Sequence, residues 1–153
     1  MVPLADAGFR VVSVDMPGWG GSAPVAPSVM LGPDAAAVTA EMVSRLGYET
    51  AVVMGKSWGG GVALSLALSR PGLVSRLILT APAFTDLNAL NSLKQPVLMA
   101  WAEDDPVIPY DTAAQITAAV PDMQFVSYPH GGHSAAQNNA VDFAERAVAF
   151  LRH

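Results

Sequence analysis

Residues 51–64 read AVVMGKSWGGGVAL, and one hydroxyl, Ser57, stands where an apolar run meets a cluster of glycines. Gly55-Lys56-Ser57-Trp58-Gly59 fits the G-x-S-x-G pattern, in which a serine occupies a tight strand-to-helix corner and its hydroxyl stands clear of the sheet. Gly55 and Gly59, two residues to either side, are expected to let neighbouring backbone pass close to the serine. The N–H groups that follow, with the N-terminus of the next helix, then face any oxyanion that forms. The plainer alternative is a glycine-rich turn that happens to contain a solvated serine. The apolar run before it and the Ala- and Leu-rich run after it favour a nucleophile.

A serine attacks poorly without a base, and the base needs an acid to orient it. Both should follow Ser57 in the chain, on loops after later strands. After the apolar run PVLMAW comes AEDDPVIP, and after MQFVSYP comes HGGHSAAQ. Of the three histidines, His153 is the last residue, which leaves His130 and His133. His133 is preferred because two glycines precede it and would let a loop carry it over the sheet, whereas His130 sits at a strand end.

Strands alternating with helices must position these loops. Arg10 to Gly18 (RVVSVDMPG) is a β-branched run stopped by a Pro-Gly turn and reads as a buried strand. Asp34 to Leu46 carries Val38, Met42 and Leu46 at steps of four, a helical face with Asp34 placed to cap its start. TAVVM, RLILTAP, PVLMAW and MQFVSYP are four more strands. Helices are expected over Gly60 to Ser69, Asp111 to Val120 and Val141 to Leu151. Ser22 to Pro33 reads as a surface loop. Wholly apolar strands between helices imply an α/β fold with a parallel sheet covered on both faces.

Composition sets the bounds. The 153 residues suffice for a single domain, 1–153, with a real core. Apolar residues make up 52% and charged residues 14%, as in a compact globular protein. A net charge of -5 disfavours nucleic acid as a partner. With no cysteine, disulfide and thiolate chemistry are excluded, which fits a cytoplasmic location. No apolar run is long enough to cross a bilayer, and the N-terminus lacks the pattern of a signal peptide. No His/Cys/carboxylate cluster has ligand spacing, so neither a metal nor an organic cofactor is implied.

Four stretches together resemble the α/β-hydrolase superfamily: GFRVVSVDMPGWGGS, GKSWGG, WAEDDPVIP and YPHGGH, in family order over nearly the whole chain. The resemblance implies Ser57 as nucleophile, His133 as general base and Asp105 as orienting acid. Asp105 is preferred to Asp104 as the second residue of the DD pair, leaving Asp104 or Glu103 as solvated loop charges. It further implies that the backbone N–H of Trp58 donates to the oxyanion, and that the reaction is hydrolysis of a carboxylic ester or related small acyl compound.

The chain departs from the family pattern at two places. APAF reaches PVLMAW through TDLNALNSLKQ alone, too short for a lid, which makes the chain similar to small capless esterases. GFRVVSVD resembles the family's fourth strand yet begins near Met1, so the first three strands and the loop with the second oxyanion donor are missing from these residues. Two parallel strands are then left unpaired unless they close on each other or another chain intervenes, as in a homo-oligomer. The missing donor could come from the PGWGG turn or from a second copy. The alternative function is a hydrolase-like binding module that is weakly active or inactive. A phosphate loop built from GWGGS or GKSWGGG is disfavoured, because neither matches the required spacing.

Overall fold

The structure is a computed structural model that describes residues 2–26 and 32–153. Its frame is a four-stranded, wholly parallel sheet in the order β1-β2-β3-β4, with β1 Ala51–Lys56, β2 Val74–Thr80, β3 Val97–Ala102 and β4 Met123–Tyr128. Seven α-helices are described: α1 Val2–Asp6, α2 Gly32–Arg45, α3 Trp58–Ser69, α4 Leu87–Leu90, α5 Asp111–Ala119, α6 Ala135–Asn138 and α7 Ala140–Arg152. A short 3-10 turn, Gly132–Ser134, precedes α6.

Alternation along the strands divides the core in two. Leu77, Leu79, Val97, Met99 and Trp101 face one side with Leu64 and Leu66 of α3 and Ile116 of α5. Ile78, Leu98, Ala100 and Ala102 face the other with Phe143, Ala147 and Phe150 of α7. A sheet buried on both faces needs apolar residues at every position, and all six residues of β3 are buried. These four strands and the three longer downstream helices lie where the sequence places them.

α2 differs in two respects. It begins at Gly32, so Asp34 lies inside the first turn rather than capping it, where its charge still complements the helix dipole. The residues it buries are Ala35 and Ala36, while Val38 and Met42 are half-buried and Leu46 is exposed. Alanines let α2 pack closely on the glycine- and alanine-rich α3. Of the expected Ser22 to Pro33 loop, residues 27–31 lie outside the described residues.

The strand expected over Arg10 to Gly18 is not formed. Residues 9–16 pair with no strand, and Val12 and Val14 are exposed. This segment touches the rest of the chain at both ends. The Arg10 guanidinium lies 5.3 Å over the Tyr48 ring, and the Trp19 and Trp58 rings stack with centroids 5.9 Å apart. Between those contacts is a largely apolar cavity of about 510 Å³, with Val11 to Val14 on one wall and Ala51 to Met54 on another. The two runs therefore do not close on each other, and among the described residues β1 keeps one unpaired edge, on which Val52 and Met54 are 41% and 49% exposed.

Candidate active site

Because the sheet is parallel, the loops after β1, β3 and β4 all leave from one edge, and they carry Ser57, Asp105 and His133 respectively. Ser57 has φ 53 and ψ -122, a conformation that side chains other than glycine rarely adopt. Three backbone bonds hold it there. Its N–H donates to Thr80 (3.0 Å), and its carbonyl accepts from both Gly61 (3.1 Å) and Ala83 (2.8 Å). Lys56 pairs with Thr80 at the last rung of the β1–β2 ladder, and Ala81, just beyond Thr80, also has positive φ (41).

The glycines around the corner have unequal tasks. A β-carbon on Gly55 would fall 2.3 Å from the Gly59 carbonyl oxygen, so Gly55 is needed where the helix start crosses the strand end. Gly59, expected to serve in the same way, would gain a β-carbon with nothing within 4 Å. The close approaches lie at the next two positions instead. A β-carbon at Gly60 would stand 2.7 Å from Cβ of Pro82, and one at Gly61 would stand 2.1 Å from the Ala83 oxygen. Glycine thus lets the segment after β2 lie directly against the first turn of α3.

Asp105 and His133 meet. The ring Nδ1 of His133 is 2.9 Å from Oδ2 and 3.2 Å from Oδ1 of Asp105. The Asp105 side chain is 0% exposed and that of His133 17%. Burial pushes the Asp105 carboxyl up, but hydrogen bonds from His133 and from the Val107 and Ile108 N–H groups outweigh it and leave the group below the ordinary carboxylate value. A carboxylate facing Nδ1 fixes the neutral ring as the Nδ1–H tautomer and leaves Nε2 with its lone pair. Among the described residues no hydrogen bond joins the Ser57 hydroxyl to that ring.

The other carboxylates of the acid loop are exposed, as expected from the sequence, but each also accepts a hydrogen bond. Asp104 accepts the Gly132 N–H at 2.7 Å, and that bond is the main reason its carboxyl lies below the ordinary value. It also faces the exposed His130 at 3.5 Å. Glu103 accepts from the Ser127 hydroxyl at 3.1 Å, which in turn accepts from Tyr110 at 2.8 Å. Asn138 and Asn139 donate to the carbonyls of Gly131 and His130, so side chains pin the histidine loop from several directions. Gly131 and Gly132 (φ 140 and 54) make the tight path possible.

Trp58 opens α3, which places its backbone N–H at the helix N-terminus beside Ser57. The PGWGG turn folds around Asp15, whose carboxylate accepts the Gly21 N–H at 2.9 Å and whose carbonyl accepts the Ser22 hydroxyl at 2.7 Å. Through Trp19 it rests on Trp58. Among the described residues no helix is long and apolar enough to cross a membrane.

The family model for the alpha/beta hydrolase fold matches residues 1–92 and 83–139, two stretches that meet in the connection between β2 and β3. A 2-hydroxy-6-oxononadienedioate/2-hydroxy-6-oxononatrienedioate hydrolase from Paraburkholderia phymatum is 23% identical, taking in 97% of this chain and 78% of the relative. That match runs over 225 residues, longer than the 153-residue chain, so the relative carries insertions within it. A hydrolase of the same name from Cupriavidus pinatubonensis is 38% identical over 77 residues, 50% of this chain and 27% of its own length. Among solved structures, a protein from Thermoplasma acidophilum described as a predicted CIB-like hydrolase superposes with a TM-score of 0.84 at 25% identity, covering 90% of this chain and 69% of that one. With a family model matched along most of its length, the chain belongs to the alpha/beta hydrolase fold family.

Proposed function

We propose that this chain is a serine hydrolase that cleaves a carboxylic ester or a related small acyl compound through an acyl-enzyme. The observation that carries this reading is the buried Asp105 bonded at 2.9 Å to Nδ1 of His133, on the same sheet edge as a serine held at positive φ. Ser57 Oγ attacks the carbonyl carbon while His133 Nε2 takes its proton. The Asp105 carboxylate stabilises the imidazolium, and the Trp58 N–H faces the oxyanion. His133 then gives the proton to the leaving group. Water enters, loses a proton to His133 and attacks the acyl carbon; the acid leaves as the serine oxygen takes that proton back from His133. The reaction uses no metal or organic cofactor. Catalytic hydrogen bonds commonly tighten only when substrate is bound, which accommodates a resting Ser57 that does not touch His133.

The second oxyanion donor is assigned to the PGWGG turn, which Trp19 brings against Trp58. The N–H groups of Gly18, Trp19, Gly21 and Ser22 donate within that turn, which leaves Gly20 as its candidate donor. Only the four-residue α4 stands between β2 and β3, consistent with an uncovered, capless site that takes small or loosely selected substrates. The unpaired edge of β1 is the surface on which a second copy would complete the sheet as a homo-oligomer. The competing reading, a hydrolase-like binding module, is favoured by the missing Ser57–His133 bond.

A fluorophosphonate probe separates the two. An activated serine is labelled at Ser57, and an activated aryl ester gives a burst of alcohol release in the wild type that is lost in Ser57→Ala. Equal turnover by Ser57→Ala would overturn the mechanism.

A further inference from the structure

The residue before Ser57 and the residue after His133 are joined directly: Lys56 Nζ donates to Ser134 Oγ at 2.8 Å, across 78 positions of sequence. Among the described residues no carboxylate lies within 4 Å of the Lys56 ammonium, so this part-buried cation is spent on a neutral hydroxyl. The position of this bond gives it a role in the site. The histidine loop runs through two glycines at positive φ and is tied to the acid loop by Asp104 and to its own following helix by Asn138 and Asn139. None of those bonds fixes its distance from the serine corner. Lys56–Ser134 does.

We propose that Lys56 is a positioning residue that sets the reach between Ser57 and His133, an inference that rests on the serine hydrolase reading above. On this proposal it acts through Ser134, the hydroxyl its ammonium bonds. A ring displaced by about 1 Å costs on the order of a hundredfold in rate, so even partial slackening is measurable.

The test compares wild type, Lys56→Met, Lys56→Arg, Ser134→Ala and the Lys56→Met/Ser134→Ala double variant. Each is followed by fluorophosphonate labelling rate against probe concentration and by hydrogen exchange at residues 131–135. Lys56→Met and Ser134→Ala should each slow the maximal labelling rate by about tenfold at unchanged probe affinity, with faster exchange in the loop. Lys56→Arg should recover most of the rate, and the double variant should be no slower than the worse single one, as coupled partners require. Wild-type labelling and exchange in Lys56→Met, or effects that multiply in the double variant, would overturn the proposal. A wild type unlabelled at Ser57 would instead remove the hydrolase reading, and the exchange comparison alone would then decide the strut.

Discussion

The carbonyl oxygen of Ala83 lies 2.1 Å from where a β-carbon on Gly61 would sit. No rotamer can relieve that contact, because the atom it meets is backbone already engaged beside the Ser57 corner. Gly61→Ala should lower the free energy of unfolding by about 1–3 kcal/mol. Gly59→Ala, with open space around it in a helix, should be neutral or stabilise by up to about 1 kcal/mol. Chemical denaturation of the two variants checks the contrast, and equal losses would contradict it.

Ser57 holds a backbone conformation that costs about 1–3 kcal/mol in a residue with a side chain. Replacing it by glycine should therefore raise the unfolding midpoint above that of Ser57→Ala, which keeps the strain while also losing the hydroxyl. Thermal unfolding of both variants is the measurement; a lower midpoint for the glycine variant would argue that the corner is unstrained.

The two aspartates of the DD pair should separate cleanly. Asp105→Asn removes the carboxylate on His133 and should cut acylation by about 10⁴-fold. Asp104→Asn weakens the hold on Gly132, and His130→Ala removes only an exposed partner; each should cost no more than a few-fold. Single-turnover acylation by an activated ester ranks them, and a large loss at Asp104 would reverse the assignment of the acid.

Acid sensitivity follows from the same site. The Asp105 carboxyl is raised by burial but lowered further by its hydrogen bonds, and it ends below its ordinary 3.8. A group depressed on folding contributes stability that is fully present above its unfolded value and is lost as pH falls through its folded one. Wild-type stability should thus drop as pH falls below 3.8, and Asp105→Asn should show a shallower drop over that window. Urea titrations at stepped pH give the two slopes; parallel slopes would refute the linkage.

Self-association should run through β1. Val52→Lys and Met54→Lys on its exposed, unpaired edge should shift the chain towards monomer in light scattering. A wild type that is monomeric at every concentration would dispose of the second copy.

Much of this was legible beforehand because apolar strands and glycine corners declare themselves locally. β1 to β4, the Ser57 corner and the Asp105 and His133 loops all lie where their residue types place them. Arg10 to Gly18 has equally good strand chemistry, yet a strand exists only with a partner, and partnership is decided elsewhere in the chain. The work of Asp104 and Glu103 was hidden for a similar reason, since their partners Gly132 and Ser127 stand 28 and 24 residues away. Lys56–Ser134 had no local signal. Gly60 and Gly61 lie outside the G-x-S-x-G pattern, and their need for glycine comes from Pro82 and Ala83, both beyond β2.

One consequence of the β1–β2 ladder remains. Lys56 and Thr80 share its last rung, and the chain enters positive φ just beyond both, at Ser57 and at Ala81. The Thr80 carbonyl and the Ala83 N–H, each bonded to Ser57, reach it only when the two strands are in full register. On the serine hydrolase reading proposed above, a half-formed chain presents an ordinary, unreactive serine. Reactivity at Ser57 would then report complete folding, and a misfolded copy would carry no stray nucleophile.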